Sequence, residues 1–100
     1  MRLIKAVIHK DSELVRALLS AGENPNHCLD AAKLTPLHFA AQHNALDIVP
    51  LLITAGANIH ATTVPDGQTP LDIAKILGHK EMIILLEEYG SKMPYSEEEK

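Results

Sequence analysis

A six-residue phrase occurs twice in this chain, 34 positions apart: Thr35-Pro36-Leu37-His38-Phe39-Ala40 and Thr69-Pro70-Leu71-Asp72-Ile73-Ala74. Leu51-Leu52-Ile53-Thr54-Ala55-Gly56 is answered at the same offset by Leu85-Leu86-Glu87-Glu88-Tyr89-Gly90, and preceded by a fainter copy, Ala17-Leu18-Leu19-Ser20-Ala21-Gly22. A fixed period of this size builds a stack of small units that share one continuous core, each leaning on its neighbours. Such stacks serve as binding surfaces more often than as catalysts.

Within each unit the pattern reads helix, turn, helix, loop. Thr35 can cap a first helix, and Pro36 fits its first turn, where a missing N–H costs nothing. Leu37, Ala40 and Ala41 then share one face. Asn44 and Gly78 end the first helices, as residues tolerant of left-handed geometry. A second helix is expected from about Leu46 to Thr54, with Gly56 as its stop. The first unit follows with Leu3–Val7 and Leu14–Leu19, and Asp11 or Ser12 is placed to cap the latter. Between units lie two loops, Glu23–Leu34 and Ala57–Gln68. The second contains Pro65-Asp66-Gly67, a turn signal that predicts a projecting hairpin-like finger. The first has no glycine at its tip.

Pro50 conflicts with the expected second helix. In a helix interior, proline removes a hydrogen bond and presses on the carbonyl four residues back, here Leu46, at a cost of about 3 kcal/mol. The helix must kink there or start late, and on this reading Pro50→Lys raises the melting temperature.

Helix, turn, helix, Gly, then a finger leading into Thr-Pro-Leu-His resembles the ankyrin repeat. Leu34–Ala41, Leu46–Val49, Leu51–Ile53 and Gly56-Ala57-Asn58 carry the resemblance best. Gly67–Ala74 with Gly78-His79-Lys80-Glu81 is similar to terminal repeats, and Leu3–Asn26 to N-terminal capping repeats. The tetratricopeptide repeat has a comparable period, but its early bulky aromatic and closing proline are missing. The period is one residue longer than the usual ~33, and Lys33 stands where the next unit has Gly67. The resemblance implies an all-α solenoid of helix-turn-helix units with projecting finger loops. Its units would run about 1–33, 34–67 and 68–92, with 93–100 an acidic, mobile tail.

Composition narrows the function. Only Phe39, Tyr89 and Tyr95 are aromatic and the net charge is -4, so there is neither a stacking platform nor a basic cluster for nucleic acid. No apolar run approaches the ~18 residues of a membrane span, and no secretory signal is visible. Cys28 is the sole cysteine, which makes a reducing, cytoplasmic setting the simpler expectation. His9, His27, His38, His43, His60 and His79 form no i, i+4 pair and have no partner thiol, so no metal site is expected. His38 falls in the repeat motif, where the resemblance implies hydrogen bonds to Thr35 and to the neighbouring unit; His79 matches a structural position. Asp72 stands where the middle unit has His38 and reads as structural or capping. No nucleophile elbow or phosphate loop is present, so neither an enzyme nor a cofactor is expected.

What remains is protein binding. By the resemblance, fingers and first helices line a concave groove, placing Ile8, His9, Ala31, Ala32, Leu34, Gln42, His43, Val64, Pro65, Gln68, Ile76 and Leu77 on it. Ile76 and Leu77 are apolar where such positions are usually polar; they either mark a partner site or pack beneath a C-terminal segment. Ile84 faces outward, where Met93 or Tyr95 could shield it. The expected function is capture of a partner protein, with self-association through an end face also open. Two further readings are an effector or adaptor of an intracellular bacterium or virus, delivered into a host cell, and a scaffolding fragment of a larger enzyme-containing protein. A lesser idea makes Asn26 a hydroxylation substrate.

Overall fold

The computed structural model describes residues 2–29 and 31–92. The acidic tail, with Met93 and Tyr95, lies outside the described residues. Six helices follow one another: α1 (Arg2–Ile8), α2 (Ser12–Ser20), α3 (Pro36–Gln42), α4 (Ile48–Thr54), α5 (Pro70–Leu77) and α6 (Lys80–Lys92). They form three antiparallel pairs, α1 with α2, α3 with α4 and α5 with α6. The first helices stack in the order α1, α3, α5, and α2 packs against α4. Among the described residues there is no strand, only an isolated antiparallel bridge between Leu29 and Leu34. The fold is an all-α solenoid.

The Thr-Pro phrase opens α3 and α5 with the same device. Thr35 accepts from the His38 N–H and Thr69 from the Asp72 N–H, while each of those side chains returns a bond to the threonine N–H. Asp72 is thus a capping residue, its carboxylate 3.0 Å from the Thr69 nitrogen. Asp11 caps α2 through the Leu14 N–H.

The turns obey the same period. Seven described residues have positive φ, in three series spaced by 34: Lys10, Asn44 and Gly78 between paired helices, Gly22 and Gly56 after second helices, and Lys33 and Gly67 at the fingers. After each first helix a wrap-around bond closes the turn, from Asp11, Ala45 and His79 N–H to the carbonyls of Ala6, Ala40 and Ala74. Lys33, at φ 61°, adopts the conformation of Gly67, at φ 66°. Both fingers therefore close alike, with Leu29 N–H donating to Leu34 C=O and Thr63 N–H to Gln68 C=O.

Of the two outcomes expected from Pro50, helix α4 takes the late start, beginning at Ile48 rather than about Leu46, so Pro50 is its third residue. An N–H there would have no intrahelical partner, and Leu46 is not helical, so the expected interior penalty does not arise. Helix α6 runs on through Gly90 to Lys92. Glycine permits a left-handed stop without imposing one, and the Ser91 hydroxyl donates to the Glu88 carbonyl 3.0 Å away.

The core runs through all three pairs. Ala6, Ala40, Ala41 and Ala74 are buried on the first helices, while Val15, Leu18, Ile48, Val49, Leu52, Met82 and Leu86 supply the bulk from the second. Polar bonds tie the layers together. Asn26 donates from its amide to Gly56 C=O (3.0 Å) and accepts from the Asn58 N–H. His38, with no exposed surface, places Nε2 2.8 Å from Gln68 C=O and Nδ1 3.1 Å from the Thr35 nitrogen. A carbonyl only accepts, so Nε2 carries the proton and Nδ1 accepts from Thr35 N–H. Burial pushes the His38 pKa below its ordinary 6.5, against the opposing pull of the Gln68 and Ala61 carbonyls.

Three predictions follow from these contacts. Lys33→Gly relieves a left-handed non-glycine residue worth about 1 kcal/mol, so Tm should rise by roughly 4–8 °C in thermal unfolding. Pro50→Lys should change stability by no more than about 0.5 kcal/mol, against the rise expected from sequence; a urea titration separates the two. Folded His38 takes up a proton only at lower pH than its unfolded counterpart, which does so near pH 6.5. Its contribution is therefore fully present above that pH and is lost as pH falls below it, at up to about 1.4 kcal/mol per pH unit. His38→Gln should be less stable at pH 7 but show a shallower decline as pH falls below 6.5.

Candidate functional site

The stacking order α1, α3, α5 brings the end of α3, one face of α5 and the finger bases together around a single depression. Positions 73, 76 and 77 fall on one face of α5 by helical spacing. Across from them lie Gln42, the last residue of α3, and the finger bases at Leu34 and Gln68. Together Leu34, Gln42, Gln68, Ile73, Ile76 and Leu77 line a depression of about 300 Å³. None of the six side chains carries a formal charge.

Five of the twelve residues expected on the groove therefore meet at one place: Leu34, Gln42, Gln68, Ile76 and Leu77. Ile76 is 66% exposed and Leu77 48%, so both apolar side chains are open rather than packed away. Ile8, one period before Gln42, is half-buried against the core. His43 follows α3 as its C-cap residue. Ala31 is exposed, and Ala32 C=O accepts from Val64 N–H at 2.9 Å, a bond that ties the second finger to the first. Val64, at 48% exposure, and Pro65 stand out from that finger.

His9 is placed elsewhere. It lines a separate depression with Arg2, Lys5, Ala6, Asp11, Leu14 and Leu18. The counterparts of four of these one period later, Phe39, Ala40, Ile48 and Leu52, are buried. His9 thus belongs to the outer face of the first pair, where Lys5 stands in place of Phe39.

Ile73 joins the depression although the sequence reading assigned it only to the repeat motif. Its counterpart Phe39 is core, whereas Ile73 remains half-exposed. The available signal was the 73, 76, 77 spacing on one helical face. Among the remaining singled-out residues, His79 Nε2 lies 3.2 Å from Gln42 C=O, which fixes the α3 end against the α5–α6 turn. Cys28 is exposed on the first finger. Ile84 is 57% exposed on α6.

The described residues gather no group of three or more His, Cys, Asp and Glu side chains that could hold a metal ion. No helix among them is long and apolar enough to cross a membrane. The chemistry available at the groove is apolar contact and carboxamide hydrogen bonding.

A family model described as "Ankyrin repeats (3 copies)" matches residues 3–95. The chain is 38% identical over 86 residues to Potassium channel GORK of Arabidopsis thaliana, covering 86% of this chain and 10% of the channel. It is 45% identical over 74 residues to the 2-5A-dependent ribonuclease of Mus musculus, covering 74% of this chain and 10% of that protein. With Cyclin-dependent kinase inhibitor 2A of Homo sapiens the identity is 35% over 82 residues, 81% of this chain and 51% of the inhibitor. The chain thus spans from a tenth to about half the length of these relatives. Ankyrin repeats are generally protein-interaction modules, a fold that is itself non-catalytic. The chain belongs to the ankyrin-repeat family.

Proposed function

We propose that the chain captures a partner protein in its concave groove, with the depression around Ile73, Ile76 and Leu77 as the anchoring point. The observation that carries this reading is the exposure of Ile76 and Leu77 beside Leu34 and Ile73. Hydrating apolar surface gathered in a depression costs free energy, which is recovered when a partner covers it. Gln42 and Gln68 supply polar contacts beside it, and His43, Ala31, Val64 and Pro65 extend the surface along the groove. The affinity of such a site rests on a few well-packed anchors more than on total area. With one cysteine in the chain, a reducing cytoplasmic setting suits this role.

A second reading makes the array the recognition part of a larger protein. The relatives favour it, since the matching region is only a tenth of the channel and of the ribonuclease. A full open reading frame encoding an enzymatic or membrane domain beside the repeats would support that version.

Leu77→Arg and Gln42→Trp change exposed or half-exposed side chains, so both should leave Tm within about 2 °C of wild type. Affinity capture from native lysate, read by mass spectrometry, should then lose the partner by tenfold or more with either variant. Undiminished capture would remove this face from consideration.

A further inference from the structure

Resting on the groove reading above, we propose that the occupant is an extended, uncharged peptide segment of a partner protein. One aliphatic or aromatic side chain fills the depression, and the main chain on either side is held by the carboxamides of Gln42 and Gln68.

Charge complementarity sets the anchor. Four apolar side chains and two neutral amides line the depression. A carboxylate, phosphate or ammonium entering it would give up hydration and meet no counter-charge. An uncharged apolar side chain loses nothing and gains contact with Leu34, Ile73, Ile76 and Leu77. At about 300 Å³ the depression is at the small end of ligand sites, which suits one large side chain with its flanking backbone.

The amides set the conformation of the segment. Neither the Gln42 nor the Gln68 side chain has a hydrogen-bond partner among the described residues; their bonds run through the main chain. Each carboxamide offers a donor and an acceptor, which together match a peptide unit. A helical ligand spends its peptide groups internally, whereas an extended one presents them laterally. A helix laid in the depression would leave both amides unanswered.

The platform is already ordered. Gln68 C=O accepts from His38 Nε2 at 2.8 Å and from Thr63 N–H at 3.0 Å, and Gln68 N–H donates to Thr63 Oγ1 at 3.1 Å. Gln42 C=O receives His79 Nε2. The main chain beside the depression is thus already held, and the ordering required on binding falls on the lining side chains, which limits the entropic cost.

The test uses a random twelve-residue peptide library displayed on phage and selected on the intact chain. Enriched sequences should share one Leu, Ile, Met or Phe with no charged neighbour on either side, and no i, i+3, i+4 apolar pattern. A fluorescein-labelled enriched peptide, measured by anisotropy, should bind Gln42→Met/Gln68→Met about tenfold more weakly. Leu77→Arg should weaken it at least tenfold, and Ile76→Lys gives the same readout should Leu77→Arg fail to fold. Enrichment of helical or charged-anchor sequences, or of none, overturns the inference. So does undiminished binding by the double Gln variant, which leaves the groove reading standing if Leu77→Arg still abolishes capture. Binding indifferent to Leu77→Arg and Ile76→Lys overturns the groove reading itself. A Leu77-dependent dimer of the unliganded chain in sedimentation would place a second copy in the depression and overturn the peptide assignment.

Discussion

Helices α1, α3 and α5 can lie side by side because alanine stands at the equivalent position on each: Ala6, Ala40 and Ala74, all buried. A larger residue there would force the neighbours apart or off their rotamers, since packed interiors absorb added volume poorly. Alanine contributes little apolar surface of its own, so the second helices must supply it. Met82, Leu86, Ile48 and Leu52 do so, and all four are fully buried. The division of labour explains the shape. Small-residue helices come close together on one side, and bulky ones fill the other.

Much of this was legible in the sequence because the devices involved are local. A Thr-Pro opening, a residue tolerant of positive φ between two helices, and the i, i+3, i+4 spacing each act within a few residues. They predicted α1, α2, α3, α5 and the turn at Asn44. The fingers were read correctly for Pro65-Asp66-Gly67, but Lys33 gave no hint that it would take up the left-handed conformation of Gly67. That conformation is imposed by the bond pairing of Leu29 with Leu34, a restraint from across the loop. For α4 the sequence left two outcomes, a kink at Pro50 or a late start, and the structure takes the late start. Hydrophobic periodicity reaches back to Leu46, yet the ring of Pro50 keeps Leu46 from being helical, and the turn before it absorbs the difference.

The candidate site was legible to a lesser degree. Leu34 with Gln68, and Gln42 with Ile76, are brought together because each pair lies one period apart on successive layers, and Leu77 adjoins Ile76. His9 obeys the same arithmetic but lines a different depression, on the outer face of the first pair. Position within a unit cannot distinguish an inner layer from an outer one, since that depends on which neighbours cover it. Ile73 shows the converse. Its place in the motif marks it as core, as Phe39 is, yet it is left half-exposed beside the groove.

Gln68 joins the two aspects of the molecule. Its main chain closes the second finger against Thr63 and receives the imidazole of His38 from the preceding layer, while its side chain lines the depression. The bond that holds adjacent layers in register is therefore also the one that fixes a wall of the groove. A neutral His38 is required for it, because Nδ1 must accept from Thr35 while Nε2 donates to Gln68. The stability of the stack and the geometry of the proposed recognition surface thus share one buried ring. Substitutions at His38 should alter both together, whereas substitutions at Leu77 touch only the surface. The difference separates residues that shape the groove from those that meet what enters it.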